Sequence, residues 1–215
     1  MGAPPARRRP AAAAGLRTIR RVPAPGVGQN GGMESLRGQL LIASPKIVDP
    51  NFRRVVVYMA EHTDEGAMGL VLNRPAETTV TEAVPDLEWL ASEDDSAIWV
   101  GGPVSPASVI VLAEFDDPAS AALIVEGDLG FVPAEIDDRD AFAAGVRRVR
   151  IFAGHAGWGP GQLESELEED SWIIEPARRG DVFTAASESL WSEVLRRKGR
   201  DYVLLATMPM DPSLN

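Results

Sequence analysis

Val55-Val56-Val57-Tyr58-Met59-Ala60 is an unbroken apolar run that opens on β-branched residues and stops at Glu61, and a kindred run, Gln39-Leu40-Leu41-Ile42-Ala43, precedes it. Runs this short, bounded by Gly, Pro, Asn and Asp, read as strands rather than helices. Working outward from this pair, further strands are expected at residues 68–72, 97–100, 109–113, 123–125 and 149–152. Runs at 172–175, 182–184 and 202–207 complete the set, and the last is apolar enough to read as a buried central strand. Helices are fewer. The clearest covers 187–198, where Leu190, Trp191, Val194 and Leu195 share one face, Ser187 stands as N-cap and Gly199 supplies the stop. A second follows the 78–81 cluster toward Leu90, made irregular by Pro85; a third runs from Asp137 or Asp138 through Phe142 to about Val146; a fourth starts near Gly161. Strands and helices alternate without a βαβ beat or an internal repeat, which predicts a mixed sheet with helices around it.

The chain has 215 residues, 45% of them apolar, enough for one substantial core. It contains no cysteine, which excludes disulfides, thiolate metal sites and cysteine nucleophiles and fits a reducing cytoplasm. No apolar run approaches the roughly 18 residues of a membrane span, so a cytoplasmic protein without membrane contact is expected. Charge is unevenly spread. Residues 1–32 carry Arg7, Arg8, Arg9, Arg17, Arg20 and Arg21 and no acidic residue, which leaves 15 basic against 32 acidic side chains, net −17, in the rest. A field of that sign repels phosphate backbones and favours protein partners or small ligands, cationic or neutral, over nucleic acid.

Segment 1–32, rich in Arg, Pro and Ala, has too few large apolar side chains to offset its ordering entropy. It is expected to be a disordered tail, or the product of a misplaced start with Met33 as the true initiator. Residues 33–215 are expected to form a single domain. The tail lacks the h-region of a secretory signal, and Ala6 stands where a myristoylation sequence wants Ser or Thr.

Three stretches invite chemistry. Gly154-His155-Ala156-Gly157-Trp158-Gly159-Pro160-Gly161-Gln162-Leu163-Glu164 is a Gly-rich turn before a helix, a place where backbone N–H groups can hold an anion. Glu164 and Glu166 already complement the helix dipole there, and neither dinucleotide nor P-loop spacing fits, so a structural turn with Trp158 packed over it is the favoured reading. Glu61-His62-Thr63-Asp64 ends an apolar strand with metal-ligand types. His155 is the only other histidine, so His62, Asp64 and His155 could share a metal only if two loops meet. Asn73-Arg74-Pro75 and Gly101-Gly102-Pro103 are punctuated turns at strand ends, with Arg74 read as a salt-bridge partner.

In chain order Gly38-Gln39-Leu40-Leu41-Ile42-Ala43, Asp49-Pro50-Asn51-Phe52, Glu61-His62, Gly66-Ala67-Met68-Gly69-Leu70, Asn73-Arg74-Pro75, Gly101-Gly102-Pro103-Val104 and Ala156-Gly157-Trp158 with Gly161-Gln162-Leu163-Glu164 and Glu166 resemble the YqgE/AlgH family, a bacterial family without an established activity. The resemblance spans essentially all of 33–208. It implies an α+β fold, a mixed, bifurcated β-sheet with a barrel-like part surrounded by a few helices. It also implies a family surface made of Glu61, His62, Asn73, Arg74, Gly101, Gly102, Pro103, Gly157, Trp158, Gln162 and Glu164. Two features depart from the family pattern: His155, where the family usually has Tyr, and the basic tail. Some members are labelled transcriptional regulators, against which stand the −17 charge and the lack of a DNA-reading motif.

With no matched set of nucleophile, base and oxyanion donors, no catalytic residue is assigned and no cofactor is expected. A non-enzymatic binding or regulatory protein is the leading expectation. A metal-assisted or acid–base hydrolase-type enzyme using the Glu61-His62 loop is the alternative, and nucleic-acid association through the Arg-rich tail the second.

Overall fold

The computed structural model describes residues 34–91 and 96–208; the expectations for segment 1–32 and for Met33 lie outside these. Ten strands make one sheet: β1 (Gln39–Ala43), β2 (Val56–Thr63), β3 (Gly66–Val71), β4 (Pro75–Thr79), β5 (Ala97–Val100), β6 (Val104–Phe115), β7 (Leu123–Glu126), β8 (Leu129–Phe131), β9 (Val146–Trp158) and β10 (Trp172–Pro176). The helices are α1 (Val80–Ala83), α2 (Arg139–Ala144), α3 (Gln162–Glu168), α4 (Arg179–Val182), α5 (Ser187–Lys198) and α6 (Arg200–Ala206), with 3₁₀ turns at Pro85–Leu90 and Pro118–Ser120. This is an α+β fold.

The sheet runs β10-β1-β2-β3-β9-β6-β8-β7 and stays open. It forks at β9. One edge of β9 takes β6, antiparallel. The other is shared by β5, parallel from Ile98↔Ile151 to Val100↔Ala153, and by β3, antiparallel from Ala67↔Trp158 to Gly69↔Ala156. The sheet is therefore mixed and bifurcated.

At the crotch of the fork, Gly101 donates its N–H to Ala153 O at 2.9 Å and accepts from Val71 N–H at 2.9 Å. A Cβ on Gly101 would overlap the Gly154 carbonyl, and Gly102 and Gly154 sit at φ 148° and 69°, so only glycine lets these backbones pass so closely.

β1 and β2 are apolar on both faces because both are covered. Leu40, Ile42, Val56, Tyr58 and Ala60 pack toward Leu190, Trp191, Val194 and Leu195 of α5. Leu41, Ala43, Val57 and Met59 pack toward Trp158, Leu163 and Trp172. Full burial of each such Val or Leu contributes about 1.5–3 kcal/mol, and Trp191 Nε1 donates to Ala43 O at 2.8 Å, which fixes α5 on the sheet.

Strands placed at 39–43, 97–100 and 172–175 and the helix at 187–198 agree with β1, β5, β10 and α5. Thr79, with Glu82, caps α1; Asp138 caps α2; Gly161 precedes α3. Two expected strands do not form. Of segment 182–184 only Val182 is helical, as the last residue of α4, and the chain leaves the helix in a turn at Phe183. Segment 202–207 falls in α6, with Leu204 77% exposed, because Gly199 (φ 135°) ends α5 and the chain re-enters a helix at once. Short apolar runs carry no periodicity that separates the two states. Ser187 is the first residue of α5 rather than its cap; Ala186 holds that position without a side-chain bond. β4 and β8 were not anticipated, being polar in one case and three residues long in the other. Among the described residues no helix is long and apolar enough to cross a membrane.

Candidate functional site

A bulge between Met59 and Glu61 near the end of β2 accompanies the placing of His62 opposite Ala67, on the face that carries Trp158 and Leu163. His62 is buried there, its side chain 4% exposed. Its Nδ1 accepts from Leu36 N–H at 3.0 Å, so the ring proton sits on Nε2, which donates to Glu164 Oε1 at 2.7 Å. Ser35 Oγ donates to His62 O at 3.1 Å. The imidazole thus clips the segment before β1 and the first turn of α3 to the end of β2. Glu61 is half-buried opposite Met68, and Asp64 is exposed in the following turn.

The Gly-rich stretch is closed by Glu166. Its Oε2 accepts from Trp158 Nε1 at 2.9 Å and Trp172 Nε1 at 2.7 Å, and its Oε1 from Gln162 Nε2 at 2.9 Å. Gln162 Oε1 in turn accepts from Gly159 N–H at 3.1 Å. Trp158 and Trp172 meet edge to face at 5.8 Å, and Phe52 packs on Trp172 in the same way. Gly157 lies opposite Met68. One carboxylate thereby satisfies two buried indoles, an arrangement that holds a turn.

Asn73 holds the opposite end of β2, accepting from Val56 N–H at 2.9 Å and donating to Arg54 O at 2.8 Å. Arg74 donates to Arg53 O at 2.7 Å, a backbone staple rather than the salt bridge expected of it. Gly101 and Gly102 form the crotch of the fork, and Pro103 is exposed beside them.

The two histidines do not meet. His155 alternates along β9 with Ala156 and Trp158, which share His62's face, so its ring lies on the opposite face, over Gly157. Burial pushes the His155 imidazole below its usual range, favouring the neutral form, and its Nδ1 has no hydrogen-bond partner. Among the described residues no three His, Asp or Glu side chains are grouped to hold a metal ion.

Two recesses lie elsewhere. A cleft of about 620 Å³ includes Trp89, Trp99, Arg148, Arg150 and Phe183 in its lining. Arg150, 2% exposed, stacks over Trp99 at 3.7 Å and donates to Thr184 O at 2.8 Å, while Arg148 lies over Phe183 at 4.5 Å. A smaller cavity of about 330 Å³ opens beside the turn between β7 and β8.

At its edge the Glu114 carboxylate, 7% exposed, gathers Arg148 Nε at 2.6 Å together with Arg147 and Arg179; Asp128 pairs with the last two. The hydrogen bond from Arg148 holds the Glu114 carboxyl below its usual range, and that from Arg179 does the same for Asp128. Tyr58, 1% exposed, lines this cavity with its hydroxyl unpartnered. Burial, and the Glu126 charge after it, push that phenol well up, so it is a neutral donor. No sequence motif marks these groups. Arg147-Arg148-Val149-Arg150, a basic run in an acidic domain, was the one visible signal.

Residues 40–203 match the model of a family described as AlgH-like. A UPF0301 protein of Streptomyces coelicolor is 43% identical over 189 residues, 85% of this chain and 97% of that one. A UPF0301 protein of Mycobacterium avium is 42% identical over 182 residues, 83% and 90% of the two chains. Among solved structures, protein DIP2367 from Corynebacterium diphtheriae superposes with a TM-score of 0.73 at 27% identity, covering 84% of this chain and 95% of that one. The AlgH protein from Pseudomonas aeruginosa gives 0.62 at 33% identity, covering 85% and 98%.

Proposed function

This chain belongs to the AlgH-like family, whose function is uncharacterised, and from that premise we propose that it is a non-enzymatic binding or regulatory protein whose family motifs are framework. One observation carries this reading. Apart from His155, the best-placed polar groups of the motif loops are spent inside the chain: both His62 nitrogens, both Glu166 oxygens, and the oxygen and nitrogen of the Asn73 amide. A general base or nucleophile needs a lone pair turned toward a substrate, and these turn toward Leu36, Glu164, two indoles, Gln162 and the backbone around β2.

The hydrolase-type alternative on the Glu61-His62 loop would require His62 to give up the Leu36 N–H or its Nε2 proton to a metal ion, with Asp64 out in solvent and His155 on the other face. No observation favours it. Nucleic-acid association would fall to the Arg-rich tail, because the remainder carries net −17.

Thermal unfolding of the full chain against free amino acids, nucleotides, divalent cations and polyanions, run beside assays with chromogenic ester and phosphate substrates, tests the reading. It predicts stabilisation by a ligand, with no turnover above that of a His62→Gln variant. Turnover that a folded His62→Gln variant loses would overturn it.

A further inference from the structure

The cavity between the β7–β8 turn and α4 is walled by Leu129, Val182 and Phe183 and edged by Tyr58, Glu126 and Arg178. At about 330 Å³ it stands at the lower end of the roughly 300–1,000 Å³ range of ligand pockets, a size for a small molecule. Its polar groups are of two kinds. Glu114 and Asp128 are taken up by Arg147, Arg148 and Arg179. Three others are left over: the Tyr58 hydroxyl has no hydrogen-bond partner, and neither the Glu126 carboxylate nor the Arg178 guanidinium has an ion-pair partner among the described residues. A fully buried hydroxyl without a partner costs free energy, and fold packing does not explain why a tyrosine rather than a phenylalanine stands there.

The leftovers differ in sign and belong to residues that line one cavity. A simple cation would meet Arg178 and Arg179, a simple anion would meet Glu126 in an acidic domain, and a neutral hydrocarbon would leave Tyr58 unpaired. A small zwitterion satisfies all three groups. We propose that this cavity binds a free α-amino acid with an apolar side chain, its ammonium on Glu126, its carboxylate on Arg178 with Tyr58 donating to it, and its side chain against Leu129, Val182 and Phe183. The proposal gives a ligand class to the binding protein inferred above and rests on that reading.

The test is calorimetric titration of the full chain with each of the twenty free L-amino acids, repeated with the amide and the N-acetyl derivative of any that binds. Saturable binding of at least one apolar amino acid is expected, lost in both derivatives because each removes one charge. Glu126→Gln and Arg178→Gln, both at exposed positions, should each weaken it about ten-fold or more. Tyr58→Phe should weaken binding while leaving the melting temperature of the free protein unchanged or higher, since the hydroxyl has no internal partner to lose.

Absence of saturable binding by all twenty would overturn the proposal, as would binding that both charge variants retain in full. A lower melting temperature for free Tyr58→Phe would also overturn it, by showing that the hydroxyl serves the fold. His62-dependent turnover would instead overturn the binding-protein reading itself, so the two failures are distinguishable.

Discussion

His62 Nε2 donates to Glu164 Oε1 at 2.7 Å while Nδ1 accepts from Leu36 N–H, so one neutral imidazole ties together three segments that are remote in sequence. His62→Ala strands two partly buried groups and is expected to destabilise by about 2–3 kcal/mol. In a double-mutant cycle with Glu164→Ala the coupling should be about 1 kcal/mol or more. Urea unfolding of the four proteins measures it; additive effects would show that the contact contributes nothing.

Glu166 Oε2 accepts from two indoles while Oε1 accepts from Gln162; an amide of the same shape keeps one acceptor oxygen and sets an NH2 group against a donor on the other side. Glu166→Ala leaves Trp158 and Trp172 N–H groups without acceptors and should cost about 2–4 kcal/mol, with Glu166→Gln between it and wild type. Near-ultraviolet circular dichroism, which reports the edge-to-face pair, should lose intensity in the same order.

Gly101→Ala puts a methyl group onto the Gly154 carbonyl at the crotch of the fork, where the clashing oxygen is backbone and cannot swing away. A loss of about 3 kcal/mol or more, or failure to fold, is expected. Gly180→Ala is the control: nothing lies within 4 Å of its added methyl, it sits in α4, and it should be neutral or stabilising by up to about 1 kcal/mol. Equal effects from the two would contradict the crowding at the fork.

Glu114 and Asp128 are held below the ordinary carboxylate range by their arginines. As pH falls the unfolded chain takes up these protons first. The stability they confer is therefore present above about pH 4 and lost as pH drops through the lower folded values. Urea midpoints from pH 7 to pH 2.5 should show Glu114→Gln less stable than wild type at neutrality and converging on it at the acid end. A constant difference would contradict the coupling.

What could be read beforehand was local. Gln39-Leu40-Leu41-Ile42-Ala43 and the face formed by Leu190, Trp191, Val194 and Leu195 declare themselves by pattern. The run at 202–207 does not, because an apolar stretch of that length suits either state until neighbours decide. The polar strand β4 exists only through its pairing with β5. For the site, the Gly-rich turn is visible in the sequence, and the glycines and prolines mark the strand ends. His62 and Glu164 were each visible, yet their bond joins residues 102 positions apart. Tyr58 was unreadable for a sharper reason: inside an apolar strand it counts as core, and only the assembled cavity shows its hydroxyl unanswered.

The most direct test of the account is to locate binding by backbone amide chemical shifts of the full chain, titrated with the amino acid that binds most tightly. The account predicts changes around Tyr58, Glu126, Leu129 and residues 178–183, and none at His62, Gly157 or Gln162. Changes centred on His62 and the turn before α3, with residues 126–129 silent, would contradict it and return the function to the motif loops.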